Sequence, residues 1–354
     1  MRSPAALVVA TLAAGCATTQ AHREVLWPAP PATARIRFVR TLGSESDLDG
    51  SARSFWRKLA GSAPANHLYH PVGVAVTRDG NRLYVTDQAL GELFAFDLAG
   101  HSVTTLTRDR LGGVAIGVCV DDEGDVWAVI PDRKLVIRLS ADLRMIGGFE
   151  IKEADRPTSV AVDRAQERVF VADTSGTRGE GHSVRVFDLA GKPLAVWGRK
   201  GSGPGEFFFP TFVAVRDGKL YVADTLNARV QVLNEENGEP VGIVGERGDR
   251  IGNFDKPKGL AFDSFGNLYV ADSFWSNVQI FNERGQVLLF FGGRGDSPGF
   301  LSNPAGLAID GHNRIYVSNP LNFRIEVYEL INTSARDSDA TPPPVVAGTE
   351  GGKR

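Results

Sequence analysis

Apolar residues in this chain come in short alternating runs separated by turn residues, not in long runs at helical spacing. One pattern recurs: a proline, a short spacer, a small residue, Val-Ala-Val-like alternation, an Asp and Gly turn, then a Leu-Tyr-Val-Ala-Asp-like run. The small-residue position falls at Gly73, Gly117, Ser159, Phe212 (large, the exception), Gly259 and Gly306, in steps of 44, 42, 53, 47 and 47 residues. The pattern predicts second strands at Leu83–Thr86, Val126–Val129, Val169–Ala172, Leu220–Ala223, Leu268–Ala271 and Ile315–Ser318. Third strands follow, for example Val184–Asp188, Val230–Asn234, Val278–Asn282 and Ile325–Tyr328, and fourth strands close the unit at Leu194–Trp197 and Val287–Phe291. Four short strands in a repeat of this length make a propeller blade, in which each sheet covers the apolar face of the next.

Six repeats predict an all-β fold, a six-bladed β-propeller over residues 35–331. The sixth repeat stops after its third strand, near Leu330. The segment Arg35 to Gly43 reads as the missing outer strand, so that an N-terminal strand closes the last blade and removes an exposed edge. Between that strand and blade 1, Phe55, Trp56 and Leu59 share one face of a short helix over residues 51–60.

Three loops repeat in register: Gly198, Gly201, Gly205, Phe207, Pro210; Gly245, Gly248, Gly252, Phe254, Pro257; and Gly292, Gly295, Gly299, Leu301, Pro304. Their glycines permit the positive φ of a tight turn between blades, and the apolar residue plugs the seam. From Pro157 to Tyr328 the chain closely resembles the NHL-repeat family; blades 1 and 2 diverge, with Ile130 in blade 2 where most others carry Asp. The resemblance implies a closed propeller whose loops bind partners.

The first 16 residues read as an address. A short basic start precedes the apolar stretch Ala5 to Ala14, broken only by Thr11, which is too short to span a bilayer. It ends Leu12-Ala13-Ala14-Gly15-Cys16, which resembles a bacterial lipobox with Ala13 where Leu is commoner. This implies lipidation at Cys16. Ala17 in place of an Asp favours the outer membrane of a cell envelope. Residues 17–34 contain Pro28, Pro30 and Pro31 and read as an extended spacer, and 332–354 as a polar, disordered tail.

Of the chain's 354 residues 40 are glycine, and a formal net charge of −3 provides no basic excess for nucleic acid. With Cys16 lipidated, Cys119 has no partner for a disulfide, and it occupies the place of Ala75, Ala161, Ala214, Ala261 and Ala308 in other repeats. It therefore reads as a small apolar residue rather than a nucleophile. Asp87, Asp173, Asp224 and Asp272, with Asn319, end their second strands. A carboxylate ring for a cation and a hairpin lock both fit this placement. The runs Asp224-x-x-Asn227-x-Arg229 and Asn319-x-x-Asn322-x-Arg324 favour the lock. His67-x-x-His70 is the only close histidine pair, short of the three or four ligands zinc needs.

Gluconolactonase-like hydrolases and peptide-amidating lyases are six-bladed enzymes that place metal-binding Asn or His just before the small residue of each first strand. Here those positions hold Val72, Ile116, Thr158, Thr211, Lys258 and Ala305, none of them a metal donor of that kind. The sequence thus predicts no catalytic residue, metal or cofactor. It points to a non-enzymatic scaffold of the cell envelope that presents loops to a protein or peptide partner, with a propeller hydrolase or lyase as the alternative. Phe274, Trp275, Arg178 and His182, the last two in the long blade-3 insertion Thr174–Ser183, are the candidate binding surface.

Overall fold

The computed structural model describes residues 24–48, 66–175, 179 and 181–334. Cys16, the expected helix at 51–60, Arg178 and the tail from residue 335 onward lie outside the described residues.

The fold is a six-bladed β-propeller. Each of blades 1 to 5 is a four-stranded antiparallel sheet, beginning at Pro71–Val76, Val118–Val120, Pro157–Asp163, Pro210–Arg216 and Pro257–Phe262. Blade 6 starts at Leu307–Ile309 and is completed from the other end of the chain. Ile36–Leu42 pairs antiparallel with Arg324–Leu330, from Ile36 opposite Leu330 to Leu42 opposite Ile325. The closing strand expected at 35–43 is therefore in place.

The spacer departs from its expected form. Leu26–Trp27 adds a fifth, outermost strand to blade 6, pairing with Arg37 and Ile36. Trp27 packs edge-on to Tyr328 with ring centroids 5.7 Å apart, and lies 6.1 Å from Phe291. The prolines suggested an extended spacer, and within it Trp27, an aromatic side chain with a groove to fill, anchors a short strand.

The core lies between blades. Leu83, Phe94 and Phe96 of blade 1 pack with Tyr316 and Val327 of blade 6, while Tyr84 and Ala95, on the other face of blade 1, pack with Val126 and Ile137 of blade 2. This is why the second and third strands read as almost continuous apolar runs: both faces are covered. In the register-matched loops the first and third glycines (Gly198, Gly205, Gly245, Gly252, Gly292 and Gly299) take positive φ as expected, whereas Gly201, Gly248 and Gly295 do not. Phe207, Phe254 and Leu301 are fully buried in successive seams. At Gly245 (φ 72°) a Cβ would stand 2.3 Å from the Phe254 ring, so both the conformation and the space demand glycine.

Candidate functional site

The inner strands form a tight ring around the axis. A Cβ on Gly306 would meet the Val72 carbonyl oxygen at 2.2 Å, and one on Gly259 would meet that of Ala305 at 2.4 Å. Small residues are required there because the next blade's backbone occupies the side-chain space. Buried hydroxyls staple the same seams. Thr86 Oγ1 donates to the Ile116 carbonyl (2.6 Å), Thr174 to Pro210 (2.5 Å), Thr225 to Pro257 (2.7 Å) and Ser318 to Val72 (2.9 Å). These four residues were not singled out from the sequence, where each is one more small polar residue at a strand end.

The strand-end carboxylates are hairpin locks. Asp87 accepts from the amides of Tyr69 (2.6 Å), His70 (2.8 Å), Ala89 and Leu90. Asp224 accepts from the Phe208 amide (2.7 Å), Asn227 and Arg229 Nε (2.8 Å). Asp272 binds the amides of Asp255, Lys256, Phe274 and Trp275. With their oxygens occupied in this way, these groups are committed to joining the loop before each blade to the hairpin within it. Gln231, Gln279 and Glu326 add a lock that sequence reasoning missed, accepting from the amides of Gly205, Gly252 and Gly299 in the three seam loops.

Cys119 packs against Trp127 and Val160, and burial pushes its thiol pKa well up, as suits an apolar filler. His67 Nδ1 lies 3.0 Å from the Gly43 carbonyl and its ring packs on Tyr69, so His67 serves the loop beside the closing strand.

The three described residues of the expected surface separate. Phe274 (42% exposed) and Trp275 (36%) do reach solvent, packed edge to face at 5.1 Å. His182 does not. It is fully buried against Phe208 and Phe209, at ring-centroid distances of 5.5 and 5.0 Å, with neither ring nitrogen partnered among the described residues. Burial lowers its pKa. Its place in the long blade-3 insertion suggested a surface position, but the aromatic pair at 208–209 encloses the ring.

Six exposed apolar side chains lie at one end of the ring, Tyr69 before the first strand of blade 1 and Leu90, Phe274, Trp275, Leu321 and Phe323 between second and third strands, while others such as Met145, Leu194, Val241 and Phe290 lie on the outer fourth strands. Of the six ring positions at the same end, Lys258 alone carries a charge. It is partly buried, without a hydrogen bond or ion pair among the described residues, and its pKa is lowered by burial and then by Lys256, against an opposing pull from Asp272. The ring provides no carboxylate or imidazole, and no group of three or more His, Cys, Asp or Glu residues able to hold a metal occurs among the described residues. The side chains present therefore do not fit the metal of the six-bladed enzymes.

These features define a closed six-bladed propeller with one apolar-rimmed end and one ring amine. Residues 60–175 match the SMP-30/gluconolactonase/LRE-like region family. Over 147 residues the chain is 28% identical to the protein brain tumor of Drosophila melanogaster, spanning 40% of this chain but only 13% of that protein's length. Among solved structures, a gluconolactonase from Xanthomonas campestris superimposes with a TM-score of 0.56 at 17% identity, covering 74% of this chain and 86% of the other. Virginiamycin B lyase from Staphylococcus aureus superimposes with 0.53 at 12% identity, covering 73% and 80%.

Proposed function

We propose that the ring end of the channel takes a small molecule and acts on it as a metal-independent propeller hydrolase or lyase, with Lys258 as the base. The observation that carries this reading is Lys258 itself: among the six ring residues it alone can move a proton, and burial favours its neutral form. A neutral amine can take a proton from a carbon next to a carbonyl while a leaving group departs from the neighbouring carbon, or from a water attacking an ester. The match of residues 60–175 to the gluconolactonase-like region, which does not extend to Lys258, supports a hydrolase or lyase over the purely non-enzymatic scaffold. The test is turnover of a panel of lactones and streptogramin-type cyclic peptides by the wild-type protein and by Lys258→Met. Loss of about a hundredfold or more in the variant is expected.

A binding role at the same end is favoured by one separate observation, the group of exposed apolar side chains from Tyr69 to Phe323. If the wild type turns over nothing in the panel, the scaffold presenting this face to a peptide or protein becomes the better account. In either role we place the protein on an envelope membrane through a lipid on Cys16.

A further inference from the structure

The three register-matched seam loops differ in one consequential place. In the seam between blades 4 and 5, Arg247 donates to the Leu226 carbonyl (2.6 Å) and lies 3.4 Å from Asp255, an ion pair within the loop. Forty-seven residues on, in the seam between blades 5 and 6, the arginine and its carbonyl bond are kept, with Arg294 Nη2 donating to the Phe274 carbonyl at 3.0 Å. The acid is not kept, because the position of Asp255 is taken by Ser302. Arg294 has no carboxylate partner among the described residues and leaves most of its guanidinium donors unused.

This unpaired arginine lines a cleft of about 210 Å³ together with Lys256, Ser273, Phe274, Asn303 and Leu321. Lys256 is a second cation, with Nζ 5.6 Å from the centre of the Phe274 ring. Asp255 is held by Arg247 and Asp272 by backbone amides, and Asp296, two residues from Arg294, forms no ion pair with it among the described residues. The cleft thus has two positive groups at its polar side and exposed Phe274 and Leu321 at its apolar side. Its volume is below that of most sites for drug-sized ligands, which sets the size of the occupant.

We propose that the cleft between blades 5 and 6 binds a small carboxylate with an apolar body, its carboxylate taking the place at Arg294 that Asp255 takes at Arg247. A planar carboxylate matches the guanidinium fork, Lys256 adds charge, and Phe274 and Leu321 cover the apolar part. The site is separate from the ring amine and does not depend on turnover there. The carboxylate could belong to a free acid or to a peptide's C-terminus, and the two are told apart below.

The test is calorimetric titration of the full chain with benzoate, N-acetylphenylalanine, benzyl alcohol and inorganic phosphate. Saturable binding of one or both carboxylates is expected, with benzyl alcohol and phosphate at least about tenfold weaker. Tighter benzoate assigns a free acid, and tighter N-acetylphenylalanine a chain terminus. Arg294→Gln should weaken carboxylate binding at least about tenfold. Ser302→Asp, which installs the acid of the neighbouring seam, should do the same while leaving the melting temperature at or above that of the wild type. Lys258→Met should leave binding unchanged, which separates the cleft from the channel. Equal binding of benzyl alcohol and benzoate, tighter binding of phosphate, or wild-type carboxylate affinity in both cleft variants would overturn the proposal.

Discussion

Glu235 should make the protein less stable as the pH rises from about 4.5 to about 7. It follows the third strand of blade 4, at the end of the ring away from the apolar rim, and is only 3% exposed. Neither carboxylate oxygen has a hydrogen-bond partner among the described residues. Burial, and then the negative charge of Asp163, push its pKa up to about 7, against a smaller opposing pull from Arg168. A carboxyl whose pKa is raised on folding costs nothing below its ordinary value of 4.5, because it is protonated in both states. The cost then grows between 4.5 and about 7 and is complete above that. At 1.36 kcal/mol for each tenfold change, the gap from 4.5 to about 7 corresponds to at most about 3–4 kcal/mol. Glu235→Gln keeps the shape, removes the charge and can donate to Asp163. Urea unfolding at pH 8 should show the variant more stable by up to about 3–4 kcal/mol, with the gain vanishing near pH 4. An equal gain at both pH values, or none at pH 8, would refute the reasoning.

Three further outcomes follow from the fold and the address. Ile36→Ala empties a fully buried position in the closing strand and should cost about 2–5 kcal/mol, read from the denaturant midpoint. Gly245→Ala forces a Cβ into the Phe254 ring at a positive φ and should lower the melting temperature, whereas Gly218→Ala, with φ 71° but nothing within 4 Å, should cost much less. Cys16→Ser should abolish lipid labelling and release the protein from membranes, and unchanged membrane association would refute the anchor.

Much of the architecture was legible because propeller seams impose local chemistry that repeats. The glycines at 245 and 292 and the plugs at 254 and 301 are demanded by turns only a few residues long, so they recur at a fixed step of 47. The closing strand was legible for a related reason: a sixth repeat without an outer strand must find one elsewhere. What escaped were properties of juxtaposition. Thr86 and Ser318 look like ordinary strand residues until the next blade's carbonyl is placed against them. Trp27 sits among prolines that argue for a linker, and only the groove beside Tyr328 makes it a strand. His182 and Glu235 are polar residues in turn-rich stretches, where exposure is the natural reading; both are buried by neighbours distant in sequence. The exchange of Asp255 for Ser302 was visible in the repeat alignment, but its meaning required the cleft. For Lys258, the ring position was legible, and its weight as a base was not, because the sequence posed the question as one of metal ligands.

The most direct test of the channel account is the titration of Lys258 itself. Lysines carrying ¹³C-methyl groups report their protonation in solution NMR, and the Lys258 signal is assigned by its loss in Lys258→Met. The account predicts that Lys258 titrates below the ordinary lysine value of 10.5, and that a bound substrate-like lactone shifts its signal but not those of the other lysines. Titration at the ordinary value of 10.5 with no response to any channel ligand would contradict it.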